Sequence, residues 1–230
     1  MTSGPATNIS QAKARVAGAA ALEVADGMLV GLGTGSTAAL MIAALGERVA
    51  AGLRITTVAT SLETEKLALK AGITVLPFDD IARIDLAIDG ADEVDSEFRA
   101  IKGAGGAMLR EKIVAQAAER MICIVDASKL VAHLGARPVP VEILPLARTF
   151  VTEAVQSLGG RPELRMKAGR PAVTDQANLL LDCHFGFIDD PEKLAAQLQA
   201  IPGLLGHGLF LREIDVLLAG DASGVTCRVR

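Results

Sequence analysis

Between Asp89 and Lys112 the chain gathers the residue types that proton transfer on an anion requires. Asp89-Gly-Ala-Asp-Glu-Val-Asp95 supplies carboxylates, Lys102-Gly-Ala-Gly-Gly-Ala107 a cation beside unhindered amides, and Arg110-Glu-Lys112 a carboxylate between cations. Two carboxylates in different surroundings can hold different protonation states, so Asp89 and Asp92 suit acid and base work. They suit a hard cation equally, but their spacing with Asp95 is not that of an EF-hand, and no His or Cys lies near to complete a transition-metal set. Glu111 falls in the first turn of a helix, where an acidic side chain is worth roughly 0.3–1 kcal/mol through the dipole and needs no other reason. Its company sets it apart, because the amides of Gly103-Ala-Gly105 suit an oxyanion and Lys102 adds positive charge.

A second constellation, Gly31-Leu-Gly-Thr-Gly-Ser-Thr37, follows the first strong apolar run and opens a helix. Its glycines let backbone approach a guest closely, and Ser36 and Thr37 can cap the helix or bind an anion such as phosphate. It has neither the third-glycine spacing of G-x-G-x-x-G nor the G-K-[ST] ending of a P-loop, which weakens dinucleotide and ATP readings. Lys129, in Asp126-Ala-Ser-Lys129, follows another apolar run and reaches the same sheet edge, whereas Thr60-Ser61 reads as a plain helix cap. His133, His184 and His207 share no spacing and carry no mechanism.

The elements that must position these residues follow from periodicity. From Met28 to Val125, apolar runs at residues 28–32, 55–59, 73–76, 84–88 and 121–125 alternate with helical stretches at 38–50, 62–71 and 107–118, with Gly72 closing the second. This predicts βαβ units in a doubly wound, mostly parallel, Rossmann-like sheet, and ligands bind such sheets at the carboxyl ends of the strands. The composition shifts at Leu134-Gly-Ala-Arg-Pro-Val-Pro140. Beyond it, strands at 139–143, 164–166, 179–183 and 204–210 with helices at 146–158 and 191–200 give the order β-α-β-β-α-β, a split-βαβ, ferredoxin-like α+β unit. A final run, Val216 to Ala219, returns to the first sheet. The expected division is a Rossmann-like catalytic domain of residues 1–136 and 209–230, with residues 137–208 inserted as the smaller α+β domain.

Composition bounds the partners. The chain has 230 residues, 50% hydrophobic but only 3% aromatic with neither Trp nor Tyr, so its core is aliphatic and base stacking is disfavoured. A net charge of -4 with scattered cations gives no footprint for nucleic acid and no polybasic membrane patch. Cys123, Cys183 and Cys227 fit neither a disulfide framework nor a metal knuckle, which points to a reducing cytoplasm. No uncharged apolar run reaches membrane-spanning length, and residues 1–10 lack the features of a secretory signal.

Gly33-Thr-Gly-Ser-Thr37, Asp89-Gly-Ala-Asp-Glu93, Lys102-Gly-Ala-Gly-Gly106, Arg110-Glu-Lys112 and Asp126-Ala-Ser-Lys129, in this order and at these separations, resemble ribose-5-phosphate isomerases of the A type. The likeness continues through Pro140-Val-Glu-Ile143, Leu158-Gly-Gly-Arg-Pro162, Val173-Thr-Asp175 and Ile201-Pro-Gly203 with Gly208-Leu-Phe210. It implies interconversion of D-ribose 5-phosphate and D-ribulose 5-phosphate in the non-oxidative pentose phosphate pathway, with no metal or organic cofactor, by a homodimer or homotetramer. It implies Thr34, Gly35, Ser36 and Thr37 around the sugar phosphate, with Lys13 and Lys129 adding charge. Asp89, Gly90, Ala91 and Asp92 would face the sugar, Asp89 opening the furanose ring. Lys102, Gly103, Ala104 and Gly105 would meet the oxyanion, and Glu111 would be the base. Two positions depart from the family pattern. Ala104 stands where the glycine run often continues, and Leu109 where a Thr often precedes the Arg-Glu-Lys triplet. The expectation is that Ala104 adopts an ordinary φ. The rival readings are a sugar-phosphate sensor of similar fold, and a deaminase or acyl-transferring relative.

Overall fold

The structure is a computed structural model that describes residues 5–230. In chain order its elements are α1 (Pro5–Leu22), β1 (Leu29–Leu32), α2 (Ser36–Ala50), β2 (Thr56–Ala59), α3 (Leu62–Lys70), β3 (Thr74–Val75), β4 (Ile84–Asp89), β5 (Glu93–Val94), β6 (Ala100–Ile101), α4 (Met108–Ala117) and β7 (Ala118–Asp126). There follow β8 (Val139–Ile143), α5 (Arg148–Ser157), β9 (Arg161–Leu164), β10 (Met166–Lys167), β11 (Arg170–Pro171), β12 (Leu179–His184), α6 (Pro191–Gln199), β13 (Leu204–His207), β14 (Leu209–Phe210), β15 (Val216–Gly220) and β16 (Val225–Val229). These elements divide into two compact units. The first comprises residues up to Ala91 with Arg110–Leu130 and Arg212–Arg230, the second Asp92–Leu109 with Val131–Leu211. Among the described residues no helix is long and apolar enough to cross a membrane.

The first unit is built on a seven-stranded sheet in the order β16-β15-β7-β4-β1-β2-β3. Every neighbouring pair is parallel except β15 with β16. Parallel strands covered on both faces read as unbroken apolar runs, which is why 84–88 and 121–125 stand out in the sequence. Val30, Leu32, Leu86, Ile88, Ile122 and Ile124 pack on one face against Val16, Ala20, Met41, Ile42 and Leu45 of α1 and α2. The opposite face takes α4, and a Cβ at Gly31 would overlap Val114 of that helix, so glycine sets how closely α4 approaches β1. From β1 the chain proceeds outward through β2 and β3, then crosses back so that β4 lies on the other side of β1. The order therefore reverses between β1 and β4, the switch point at which doubly wound sheets bind ligands.

The second unit holds a four-stranded antiparallel sheet in the order β13-β8-β12-β9. Numbered within the unit this is 4-1-3-2, the order expected of β-α-β-β-α-β. Val139, Val141 and Ile143 of β8, with Leu181 and Cys183 of β12, face the core that α5 and α6 close with Val151, Val155, Leu194 and Leu198. The run Leu204 to Phe210, expected as one strand, is two. β13 joins the four-stranded sheet, while β14 pairs with β6 in a three-stranded sheet completed by β5. The break falls at Gly208, whose added Cβ would overlap the Lys102 carbonyl. Likewise the strand expected at 164–166 separates into β9 and β10, with Arg165 between them.

Candidate active site

At the switch point the end of β4 meets the loop that follows β1. Asp89, 4% exposed, accepts hydrogen bonds at Oδ1 from the amides of Thr34 (3.1 Å) and Gly90 (2.7 Å). That approach needs glycine at position 33, because an added Cβ there would lie 2.5 Å from Asp89 Cβ and overlap its carboxylate. Gly35, at φ 118°, is the residue from which α2 starts, with Ser36 in the first turn. No side chain caps this helix, so the expected capping role of Ser36 and Thr37 gives way to another. Ser36 Oγ accepts from Lys13 Nζ at 2.9 Å, which brings a cation from α1 to the amino end of α2. The first amides of a helix have no partner within it and carry partial positive charge, so this end suits an anion.

The loop is held from beneath by hydroxyls. Thr34 Oγ1 lies 2.8 Å from Thr60 Oγ1 and 3.0 Å from Thr64 Oγ1, and donates to Ser61 Oγ at 2.9 Å. Thr60 donates to the Leu32 carbonyl (3.0 Å) and Thr64 to that of Gly33 (2.9 Å). Ser61 does cap α3, accepting from the Thr64 amide. Thr60 and Ser61 thus also brace the loop after β1, and with them Thr64, a residue that nothing in the sequence singles out. A threonine three positions after a cap is common, and only the fold turns its hydroxyl to another strand's loop.

The first unit also carries Glu111, Lys112 and Lys129. Glu111 stands in the first turn of α4 and is 4% exposed. The next residue, Lys112, has its amine pushed down to about 8, chiefly by burial, against the opposing pull of the Glu213 carboxylate. Lys129 closes the short helical turn Ala127–Lys129 that follows β7 at the carboxyl edge of the sheet, a turn begun by Asp126 accepting from the Ser128 amide.

Asp92, Lys102, Gly103, Ala104 and Gly105 belong to the second unit. Lys102 is 2% exposed, with Nζ 5.3 Å from the centroid of the Phe210 ring, a cation–π arrangement for a buried ammonium. Its amide donates to the Gly208 carbonyl at 2.8 Å, so the lysine is pinned by main chain as well. Gly103 and Gly106 adopt φ of 112° and 81°, whereas Ala104 keeps an ordinary φ, as expected, and its departure from the glycine run costs no left-handed strain. Asp92 Oδ2 accepts from the Ala104 amide at 2.9 Å. The carbonyls of Gly103 and Ala104 accept from Arg165 Nη1 at 2.9 and 3.2 Å, an arginine absent from the sequence-derived candidates. Among the described residues no group of three or more His, Cys, Asp or Glu is disposed to hold a metal ion.

An open α/β sheet whose switch point joins a carboxylate to a helix end suited to an anion, with a buried glutamate on the helix behind it, is the architecture of an α/β enzyme. The family model of ribose 5-phosphate isomerase A (phosphoriboisomerase A) matches residues 56–224. The ribose-5-phosphate isomerase A of Sphingopyxis alaskensis is 52% identical over 208 residues, 90% of this chain and 91% of that protein. That of Haloarcula marismortui is 49% identical over 95% of this chain and 96% of its own. A solved D-ribose-5-phosphate isomerase in complex with phospho-erythronic acid superposes with a TM-score of 0.94 at 37% identity, covering 97% of this chain and 100% of that one. The enzyme from Methanocaldococcus jannaschii gives 0.91 at 38% identity, over 96% of this chain and 99% of its own. The chain belongs to the ribose-5-phosphate isomerase A family.

Proposed function

We propose that Glu111 carries the proton in the interconversion of D-ribose 5-phosphate and D-ribulose 5-phosphate, the reaction of the family to which the chain belongs. Moving the carbonyl from C1 to C2 requires a base that takes the C2 proton and returns it to C1 through an enediolate, and one carboxylate does both. Lys102 and the backbone of Gly103, Ala104 and Gly105 stabilise the enediolate oxygen. Asp89 opens the furanose ring, and Gly90, Ala91 and Asp92 line the sugar. The amino end of α2, from Thr34 through Gly35, Ser36 and Thr37, with Lys13 and Lys129, holds the phosphate and so fixes the reacting carbons.

The observation that carries this reading is a buried glutamate, Glu111, in the same compact unit as the anion-binding end of α2 and the clamped Asp89. Phospho-erythronic acid, bound by one solved relative, is a four-carbon acid. With its phosphate on the terminal carbon, its carboxylate corresponds to the enediolate end of the pentose, so it should compete with ribose 5-phosphate. The deciding experiment measures ketose formation in EDTA for wild type and Glu111→Gln, with substrate affinity by calorimetry. The variant should bind ribose 5-phosphate within about threefold of wild type while kcat falls by about 10²–10⁴. Turnover near the wild-type rate would remove Glu111 as the base. Wild-type binding without turnover would favour the sugar-phosphate sensor. The same reading makes the protein a cytoplasmic homodimer or homotetramer, with Leu146 and Phe150 of the second unit, 90% and 57% exposed, offering apolar surface for self-association. Sedimentation equilibrium tests it.

A further inference from the structure

We propose that Arg165, clamped by Asp182, is the residue that sets the orientation of the oxyanion-binding backbone at Gly103–Gly105. The proposal rests on the reading of those amides given above. Arg165 lies between β9 and β10, and Asp182 is on β12. Arg165 Nε donates to Asp182 Oδ2 at 2.9 Å and Nη2 to Asp182 Oδ1, a two-point ion pair with side chains 17% and 23% exposed. The remaining nitrogen, Nη1, spans the carbonyls of Gly103 and Ala104. The planar fork therefore has its Nε and Nη2 edge on a carboxylate of the sheet and its Nη1 on two consecutive peptide groups of the loop.

The consequence follows from peptide geometry. In a trans peptide the N–H points opposite to the C=O. Drawing the Gly103 carbonyl to Arg165 turns the Ala104 amide the other way, where it meets Asp92 Oδ2. Drawing the Ala104 carbonyl to the same nitrogen turns the Gly105 amide away from the guanidinium. The Gly103 carbonyl also accepts from the Gly106 amide at 3.0 Å and the Ala104 amide is held by Asp92, so the plane that depends most on Arg165 is that of Ala104–Gly105, whose Gly105 amide the positive charge makes a better donor for the oxyanion. Gly106 turns the loop back at φ 81°, a conformation that favours glycine, and a Cβ there would press on Leu180 at 3.3 Å while meeting Arg165 Nη1 at ordinary contact distance, 3.7 Å. Lysine has no fork with which to serve Asp182 and both carbonyls together.

The test compares wild type with Arg165→Met, Arg165→Lys, Arg165→Ala and Asp182→Asn, measuring kcat and KM for ribose 5-phosphate and affinity for phospho-erythronic acid. Loss of an oxyanion donor outright costs about 10²–10³ in kcat, so its misorientation should cost about 10–10². Arg165→Met should show that loss with KM within about threefold, and Arg165→Lys should recover little of it. Millimolar guanidinium added to Arg165→Ala should restore kcat several-fold, a response that a residue acting only on stability would not give. Asp182→Asn, which leaves arginine in place but loosens its clamp, should fall between, and it decides the matter if the Arg165 variants do not fold. Unchanged kcat in folded Arg165→Met or in Asp182→Asn, or a change confined to KM, would overturn the proposal while leaving the isomerase reading intact. Absent wild-type turnover would remove both.

Discussion

Replacing Gly33 with alanine should separate the demand of the site from that of the backbone. Gly33 does not adopt a positive φ, so alanine meets no left-handed penalty there and the effect is steric. The new methyl group would sit 2.5 Å from Asp89 Cβ and closer to its carboxylate, so Asp89 must move. Overpacking of this kind costs about 1–3 kcal/mol. Displacing the carboxylate also weakens its bonds to the amides of Thr34 and Gly90, each worth about 1.5–3 kcal/mol as charge-assisted hydrogen bonds. Partial relaxation of both gives an expected loss of about 2–5 kcal/mol. Urea unfolding should show it as a lower midpoint with unchanged slope, and kcat should drop in parallel because Asp89 leaves its position. The control is the same substitution in an Asp89→Gly background, where the clash is gone. There Gly33→Ala should cost less than about 1 kcal/mol, giving a coupling energy of about 1–5 kcal/mol. Equal costs in the two backgrounds, or a single-variant cost below about 0.5 kcal/mol, would show that Gly33 and Asp89 do not constrain each other.

Three further outcomes are expected. Ala104→Gly should leave kcat within about twofold and lower stability by about 0.4–1 kcal/mol, because position 104 needs no positive φ and glycine only loosens the unfolded chain. In native protein a thiol reagent should label Cys227 alone, since Cys123 and Cys183 are buried and burial pushes the Cys183 thiol up to about 12, whereas urea should expose all three. Lys112 has a folded pKa near 8 against an ordinary value of 10.5, so between those values the unfolded chain holds more protons and stability contributed at this site rises with pH. The advantage of Lys112→Met over wild type in urea, about 1–3 kcal/mol at pH 7, should therefore shrink by pH 10, and a constant difference would refute the assignment.

Much of the architecture was legible because buried parallel strands must be continuously apolar and their connecting helices carry the 3.6-residue period. The runs at 55–59, 84–88 and 139–143 read directly as strands. Helix α1 did not, since its buried stripe of Ala12, Ala17, Ala20 and Ala21 with Val16 is alanine-rich and contrasts weakly with its surroundings. Strand β16 did not either, because it is an edge strand, largely exposed, with no apolar face to betray it. The break between β13 and β14 was hidden in an unbroken apolar run, for nothing local to Gly208 reveals the Lys102 carbonyl lying against it.

The sequence by itself determined the class of fold and the family, and singled out Asp89, Lys102 and Glu111 as candidates, because each is written in residue types at short spacing. It also foretold that Ala104 would keep an ordinary φ. What only the tertiary structure decided is which residues hold the others in place: Gly33 against Asp89, Thr64 under the anion loop, Phe210 beneath Lys102 and Arg165 behind Gly103 and Ala104. These partners lie between 31 and 108 positions apart in the chain. Local sequence carries propensities and motifs, whereas a contact at that separation exists only once strand order and register have brought the two backbones together.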